Sequence, residues 1–175
     1  MFFDLIEKRR SIRKFKPAPV ERKKVDKLIE TALRSPSSRG FNPWQFVVVD
    51  QPEILEQLST AKPHGSDFLK NAPLGIVVLA DPEKCDVWVE DCSIASILIQ
   101  LAAQALGLGS CWVQIRRREH NESTSAENYI REILSIPDTL RVESVIAIGY
   151  PNETKAPHPA HTLETEKVHI NSYGN

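Results

Sequence analysis

EDCSIASILIQLAAQALGLGS, residues Glu90 to Ser110, is the stretch that decides the fold. Ile94, Ile97, Leu98, Leu101 and Ala105 recur at helical spacing, and Ala95, Ile99, Ala102 and Leu106 recur on the other side. A helix apolar on nearly all sides is an interior helix. Glu90 and Asp91 stand in its first turn, where carboxylates favour the helix dipole. Gly107 and Gly109 close it, since glycine tolerates a left-handed cap. The small residues Ser93, Ala95, Ser96, Ala102 and Ala103 would let another backbone approach closely. A membrane span is the rival reading, because no charge occurs from Cys92 to Ile115 and Arg116, Arg117 and Arg118 follow. Against it, Gly107 cuts the helix below the ~20 residues that cross a bilayer, and Gln100 and Gln104 would lie at mid-depth. The expectation is a central helix of a non-membrane domain or dimer.

Around that helix the bulk properties are ordinary. A chain of 175 residues suits one domain with a sizeable core, spanning 1–175. Apolar content of 41%, charge of 26% and a formal net charge of −1 give no global pull toward nucleic acid or anionic lipid. MFFDLIEKRR places its apolar residues before the basic ones, the reverse of a signal peptide. Cys85, Cys92 and Cys111 lack metal-ligand spacing and read as free thiols of a reducing compartment, so a cytoplasmic location is expected.

Elements follow in both directions from the helix. Phe2 to Arg9 reads as a short helix with Phe2, Leu5 and Ile6 on one face. A second helix runs from Glu21 to before Pro36. Gln45–Asp50, Leu74–Ala80, Ser110–Ile115 and Arg141–Ile148 read as strands, and the valines of the first suggest burial on both faces. Pro52–Ala61 and Glu127–Leu134 are amphipathic helices. Buried strands between amphipathic helices predict helices on both faces of one sheet, with connections too varied for a uniformly parallel one. Beyond Pro151 the chain is a polar tail with little core of its own, which either frays or packs on something else.

Chemistry concentrates in two stretches. RRSIRKF, Arg9 to Phe15, packs Arg9, Arg10, Arg13 and Lys14 around Ser11. Arginine forks match phosphate oxygens and a serine hydroxyl adds a donor, which suits a phosphate monoester. In isolation the same run equally describes a solvated basic loop. SPSSRGFNPW, Ser35 to Trp44, supplies hydroxyls, an amide and a flat apolar ring in a polar loop; it also reads as a capped turn from helix to strand. No phosphate-binding glycine loop or dinucleotide fingerprint occurs. His158 and His161 are flanked by prolines and do not share a helical face, so no metal site is expected. No nucleophile has an evident base beside it. An enzyme built on this chain would need a cofactor to carry the reaction.

Taken together, RRSIRKF, SPSSRGFNPWQFVVV, the uncharged central helix, GLGSCWV, IAIGYP and EKVHINSYG resemble, in order and over nearly the whole chain, the nitroreductase family of FMN-dependent oxidoreductases. The resemblance implies an α+β sandwich: a central, mostly antiparallel sheet of four to five strands flanked by helices, in an interlocked homodimer with FMN at its interface. It implies that the tail, about 152–175, extends onto the partner subunit. Carried over by position, Arg9, Arg10 and Ser11 resemble contacts to the FMN phosphate and ribityl chain. Arg13 resembles a cation on the pyrimidine side of the flavin, where reduction places negative charge. Arg34 resembles another FMN contact, and Pro36, Ser37, Ser38 and Asn42 the partner's share of the site. Cys111, Trp112 and Val113 resemble the segment lying along the flavin ring.

The sequence departs from the family in its tail, where an Arg often reaches the phosphate. Here the tail offers Lys155, His158 and His161 but no Arg, and Lys155 is the expected replacement. Asn42-Pro43-Trp44 also stands where Asn-x-Gln-Pro-Trp is commoner. The implied activity is reduction of an electron-poor small molecule, such as a nitroaromatic or quinone, with NADH or NADPH as donor in a two-step exchange. Alternatives are reductive dehalogenation on the same scaffold, or a flavin-binding or interaction protein without nicotinamide-driven turnover.

Overall fold

Alternation along four strands divides the interior into two apolar layers. In this computed structural model, which describes residues 2–174, the strands are β1 (Trp44–Val49), β2 (Leu74–Ala80), β3 (Gly109–Gln114) and β4 (Arg141–Gly149). Met1 and Asn175 lie outside the described residues. The sheet order is β1-β2-β4-β3 and every ladder is antiparallel. Val77 and Leu79 of β2, Cys111 and Val113 of β3, and Val145 and Ala147 of β4 point into one layer. Ile76 and Val78, Trp112, and Ile146 and Ile148 point into the other. That is the period-two geometry of a pleated strand.

Helices cover both faces. α3 (Pro52–Ser59) and α5 (Ala126–Ile133) close the first layer with Leu55, Leu58 and Ile130. α2 (Arg22–Leu33) and α4 (Trp88–Ala105) close the second with Val25, Leu28, Ala95 and Ile99. α1 (Phe2–Lys8) precedes them and buries no residue of its own. The two-faced sheet is as expected, and element ends differ from the sequence reading by a residue or two, as fraying termini do.

Two expectations need correction. β1 is an edge strand, so its valines are not all enclosed: Val49 is buried while Val48 is 37% exposed. Only Gly107 takes the left-handed cap of α4, at φ +74; Gly109 instead opens β3. The small residues of α4 admit a close neighbour as expected, its own sheet: Ala95, Ser96 and Ala103 are fully buried, and the Ser96 hydroxyl lies 3.2 Å from that of Ser144 on β4. What α4 leaves outward is a stripe carrying Ile94 and Ile97, each 39% exposed. No helix among the described residues is long and apolar enough to cross a membrane.

Candidate functional site

RRSIRKF runs along the open edge of β3. Ser11 bridges Ser110 in parallel, and the Ile12 N–H donates to the Ser110 carbonyl at 2.9 Å. A Cβ on Gly109 would meet three Ile12 carbons at 2.8–2.9 Å, so glycine is required for this approach. Farther on, Phe15 bridges Pro151, the Lys16 N–H donates to the Tyr150 carbonyl at 2.8 Å, and the Asn152 N–H donates to Lys14. Ile12 and Phe15 are buried, which leaves Arg13 and Lys14 exposed between them.

The start of the tail folds back over this segment. The Lys155 ammonium donates to the Ser11 carbonyl at 2.6 Å, and Arg10 donates to the Ala156 carbonyl. Glu153, which sequence reasoning did not single out, accepts the backbone N–H of Arg13 at 2.6 Å and of Lys14 at 3.1 Å. Those backbone bonds, the Arg13 N–H foremost, hold the Glu153 carboxyl below the usual carboxylate range, with Lys155 3.6 Å away assisting. Glu153 thus fixes the turn that presents Arg13 and neutralises part of the local charge.

Cys111 lies beneath the cluster. Burial pushes its thiol up; Arg13, the Ser11 hydroxyl, Lys155 and Arg9 all pull the other way. The Ser11–Ser110 bridge and the Lys155–Ser11 hydrogen bond thus bring the RRSIRKF segment and the distant Lys155 together at one end of β3. The guanidinium of Arg13 also sits 5.8 Å from the Phe68 ring. Lys62 is a further cation that sequence reasoning missed: it is half-buried, and burial and then Arg118 lower its pKa. Neither Arg9 nor Arg13 has a carboxylate partner within salt-bridge distance among the described residues, which leaves both guanidinium groups open to an anion. The side chains of Cys111 and Val113 are enclosed, and Trp112 points to the opposite layer with its indole N–H on Gln114 at 2.9 Å. Any ligand lying along this strand meets its backbone rather than these three side chains together.

The second expected group stands apart from the first within the chain. Arg34 caps α2 and pairs with Glu30 at 3.0 Å on an exposed surface. Pro36, Ser37, Ser38 and Asn42 form a tight loop in which the Asn42 backbone N–H donates to the Ser37 hydroxyl at 2.9 Å, and that hydroxyl donates to the Asn42 side-chain Oδ1 at 2.8 Å. Arg39, Gly40 and Asn42 all have positive φ, a conformation costly for side-chain-bearing residues and common at functional loops. Asp91 of α4, 2% exposed, accepts the Ser38 N–H at 2.8 Å and holds the loop. A carboxylate in the first turn of a helix reads from sequence as a dipole partner, which is why this anchoring role was missed. Among the described residues no group of His, Cys, Asp and Glu is placed to hold a metal ion.

A family model described as the nitroreductase family matches residues 6–150. The solved structure of an FMN-dependent nitroreductase from Clostridium difficile R20291 is 49% identical and superposes with a TM-score of 0.96 over 98% of this chain and 99% of that one. A protein of Archaeoglobus fulgidus, provisionally named an NADH dehydrogenase/NAD(P)H nitroreductase, is 38% identical over 86% of each chain. A more distant relative, the iodotyrosine deiodinase of Thermotoga neapolitana, is 22% identical over 91% of this chain and 93% of its own.

Proposed function

This chain belongs to the nitroreductase family, and from that premise we propose that it is an FMN-dependent oxidoreductase that uses NADH or NADPH to reduce an electron-poor small molecule such as a nitroaromatic or quinone. The observation that carries the reading is the convergence of Arg9, Ser11, Arg13 and Lys155 at the end of β3. Two arginines without carboxylate partners, with a serine hydroxyl and the Glu153-paired Lys155 beside them, fit a phosphate monoester by charge and by donor type. When bound there, FMN supplies the hydride-accepting and electron-donating centre that no side chain of this protein provides.

The chain's own residues bind and orient. Arg9, Arg10 and Ser11 hold the phosphate and ribityl end. Lys155, already within reach of the Ser11 carbonyl, takes the place of the tail arginine common in the family. Arg13, on the far side of Ser11, faces the ring end, where a fixed cation favours the more negatively charged redox state. Glu153 keeps Arg13 in that position through its backbone. Arg34, Pro36, Ser37, Ser38 and Asn42 complete the site of the other subunit in a homodimer, which accounts for their distance from the cluster within one chain. Cys111, Trp112 and Val113 contribute backbone N–H and carbonyl groups along the flavin.

The test is direct. The purified protein is expected to be yellow, to release FMN rather than FAD on denaturation, and to bleach anaerobically with NADH or NADPH. A colourless protein that ignores added FMN would sink the proposal. The deiodinase relative supports a second reading, reductive removal of halogen on the same scaffold. Halide release from a halophenol in the presence of donor separates the two.

A further inference from the structure

We propose that the groove beside Arg13 receives the phosphates of the nicotinamide donor and selects NADPH over NADH. This rests on the reading that a nicotinamide reduces a flavin held at Arg13. The groove encloses about 800 Å³ between the segment after RRSIRKF, the end of β1 and the turn before β2. Arg13, Lys14, Lys16 and Lys70 line it, with Asp50 as the one acidic residue among them. None of those cations has a carboxylate partner among the described residues, whereas Arg22, Lys27 and Arg34 of α2 are paired with Asp26 or Glu30. On a protein of net charge −1, this is a local excess of positive charge facing one concavity.

The walls suit a nucleotide as well as its charge. Pro17, Pro19, Pro52 and Pro73 supply flat apolar surface among the cations. Backbone bonds from Lys16 to Tyr150 and from Asn152 to Lys14, both 2.8 Å, fix the wall that carries Lys14 and Lys16. Arg13 belongs to both places: it lies within electrostatic reach of Cys111 and lines the groove. On this proposal a dinucleotide whose nicotinamide meets a flavin beside Arg13 would lay its remaining phosphates in the groove, toward Lys14, Lys16 and Lys70. NADPH differs from NADH by one phosphate monoester. Ammonium groups recognise such a group as point charges, without the fork geometry of arginine.

Calorimetric titration of the FMN-loaded protein with the non-reducing forms NADP+ and NAD+ tests this apart from turnover. The expected result is NADP+ binding about tenfold tighter than NAD+ at low salt, with the gap closing as salt screens the exposed lysines. In the double variant Lys16→Glu/Lys70→Glu the two ligands should bind alike while FMN content stays unchanged. Equal binding of both by the unaltered protein overturns the proposal, as does an unchanged preference in the variant. Loss of FMN from the variant also overturns it, because the groove would then belong to the flavin. If NADP+ is preferred yet neither donor bleaches the flavin, the groove stands and the oxidoreductase reading fails. If both donors bleach it and no preference exists, the reverse holds.

Discussion

Glu143 occupies an extra position in β4. Val78 of β2 pairs with Ser144 and Leu79 with Val142, so Glu143 is a bulge residue and both it and Ser144 face α4. The Ser93 hydroxyl reaches one carboxyl oxygen at 3.4 Å, and the other oxygen is buried without a partner. Burial raises its pKa to about 7, against weaker pulls from the Ser144 and Ser93 hydroxyls and Arg116. The folded protein therefore keeps this proton up to about pH 7, while the unfolded chain releases it near 4.5. Stability is lost as pH rises through that window, and the full cost applies above it. Glu143→Gln should match the parent near pH 5 and exceed it near pH 8 by on the order of 2–3 kcal/mol. Thermal unfolding at the two pH values checks this, and a gap that does not change with pH refutes it. The sequence carried a trace of the bulge, since RVESVIAI breaks its alternation at Glu143-Ser144. Nothing in the pattern told which of the two residues was the insertion.

At the scale of elements, the apolar periodicity of α4, the runs of β2 and β4 and the stop at Gly107 were legible because each is dictated by local pattern. The edge position of β1 was not, because a run of valines looks the same at an edge as at the centre. In the site, the arginine cluster was legible as charge beside a hydroxyl, whereas Glu153 and Asp91 were not, because each acts on a backbone N–H distant in sequence. The two glycines after α4 separate these levels. At Gly107 nothing lies within 4 Å of an added Cβ, so Gly107→Ala incurs only left-handed backbone strain, about 1–2 kcal/mol. At Gly109 the Cβ would overlap Ile12, which must shift and carry Ser11 and Arg13 with it. Gly109→Ala should therefore weaken FMN binding by at least about tenfold, while Gly107→Ala lowers the melting temperature with FMN affinity within about twofold. Fluorescence titration of FMN into the two apo variants, beside their melting curves, distinguishes them. Equal effects on binding would mean that RRSIRKF does not depend on its seat against β3.

The whole molecule has more apolar surface than one chain can cover. α4 turns Ile94 and Ile97 outward, and the tail presents Leu163, Val168, Ile170 and Tyr173 at 60–93% exposure. Neighbouring apolar residues left open in this way mark an association surface. In the proposed homodimer a second copy would supply the cover, and it would also bring the Ser35 to Trp44 loop, held by Asp91, to the other chain's cation cluster. Obligate interfaces of this kind bury ~2,000 Å² or more, so assembly and FMN binding should be lost together. Sedimentation equilibrium at micromolar concentration should give twice the 19.7 kDa chain mass. Ile97→Asp places a charge on the outward stripe, where the isolated chain would tolerate it and a dimer would not. The variant should sediment as a monomer or associate weakly, and it should lose FMN at concentrations where the parent retains it. Removal of the tail after Pro159 should weaken the dimer as well, since its apolar side chains stay largely exposed on their own chain. A parent protein that is monomeric and still holds FMN tightly would show that one chain builds the site alone. In that case Arg34, Pro36, Ser37, Ser38 and Asn42, which the fold keeps apart from Arg9 and Arg13, would have no part in it.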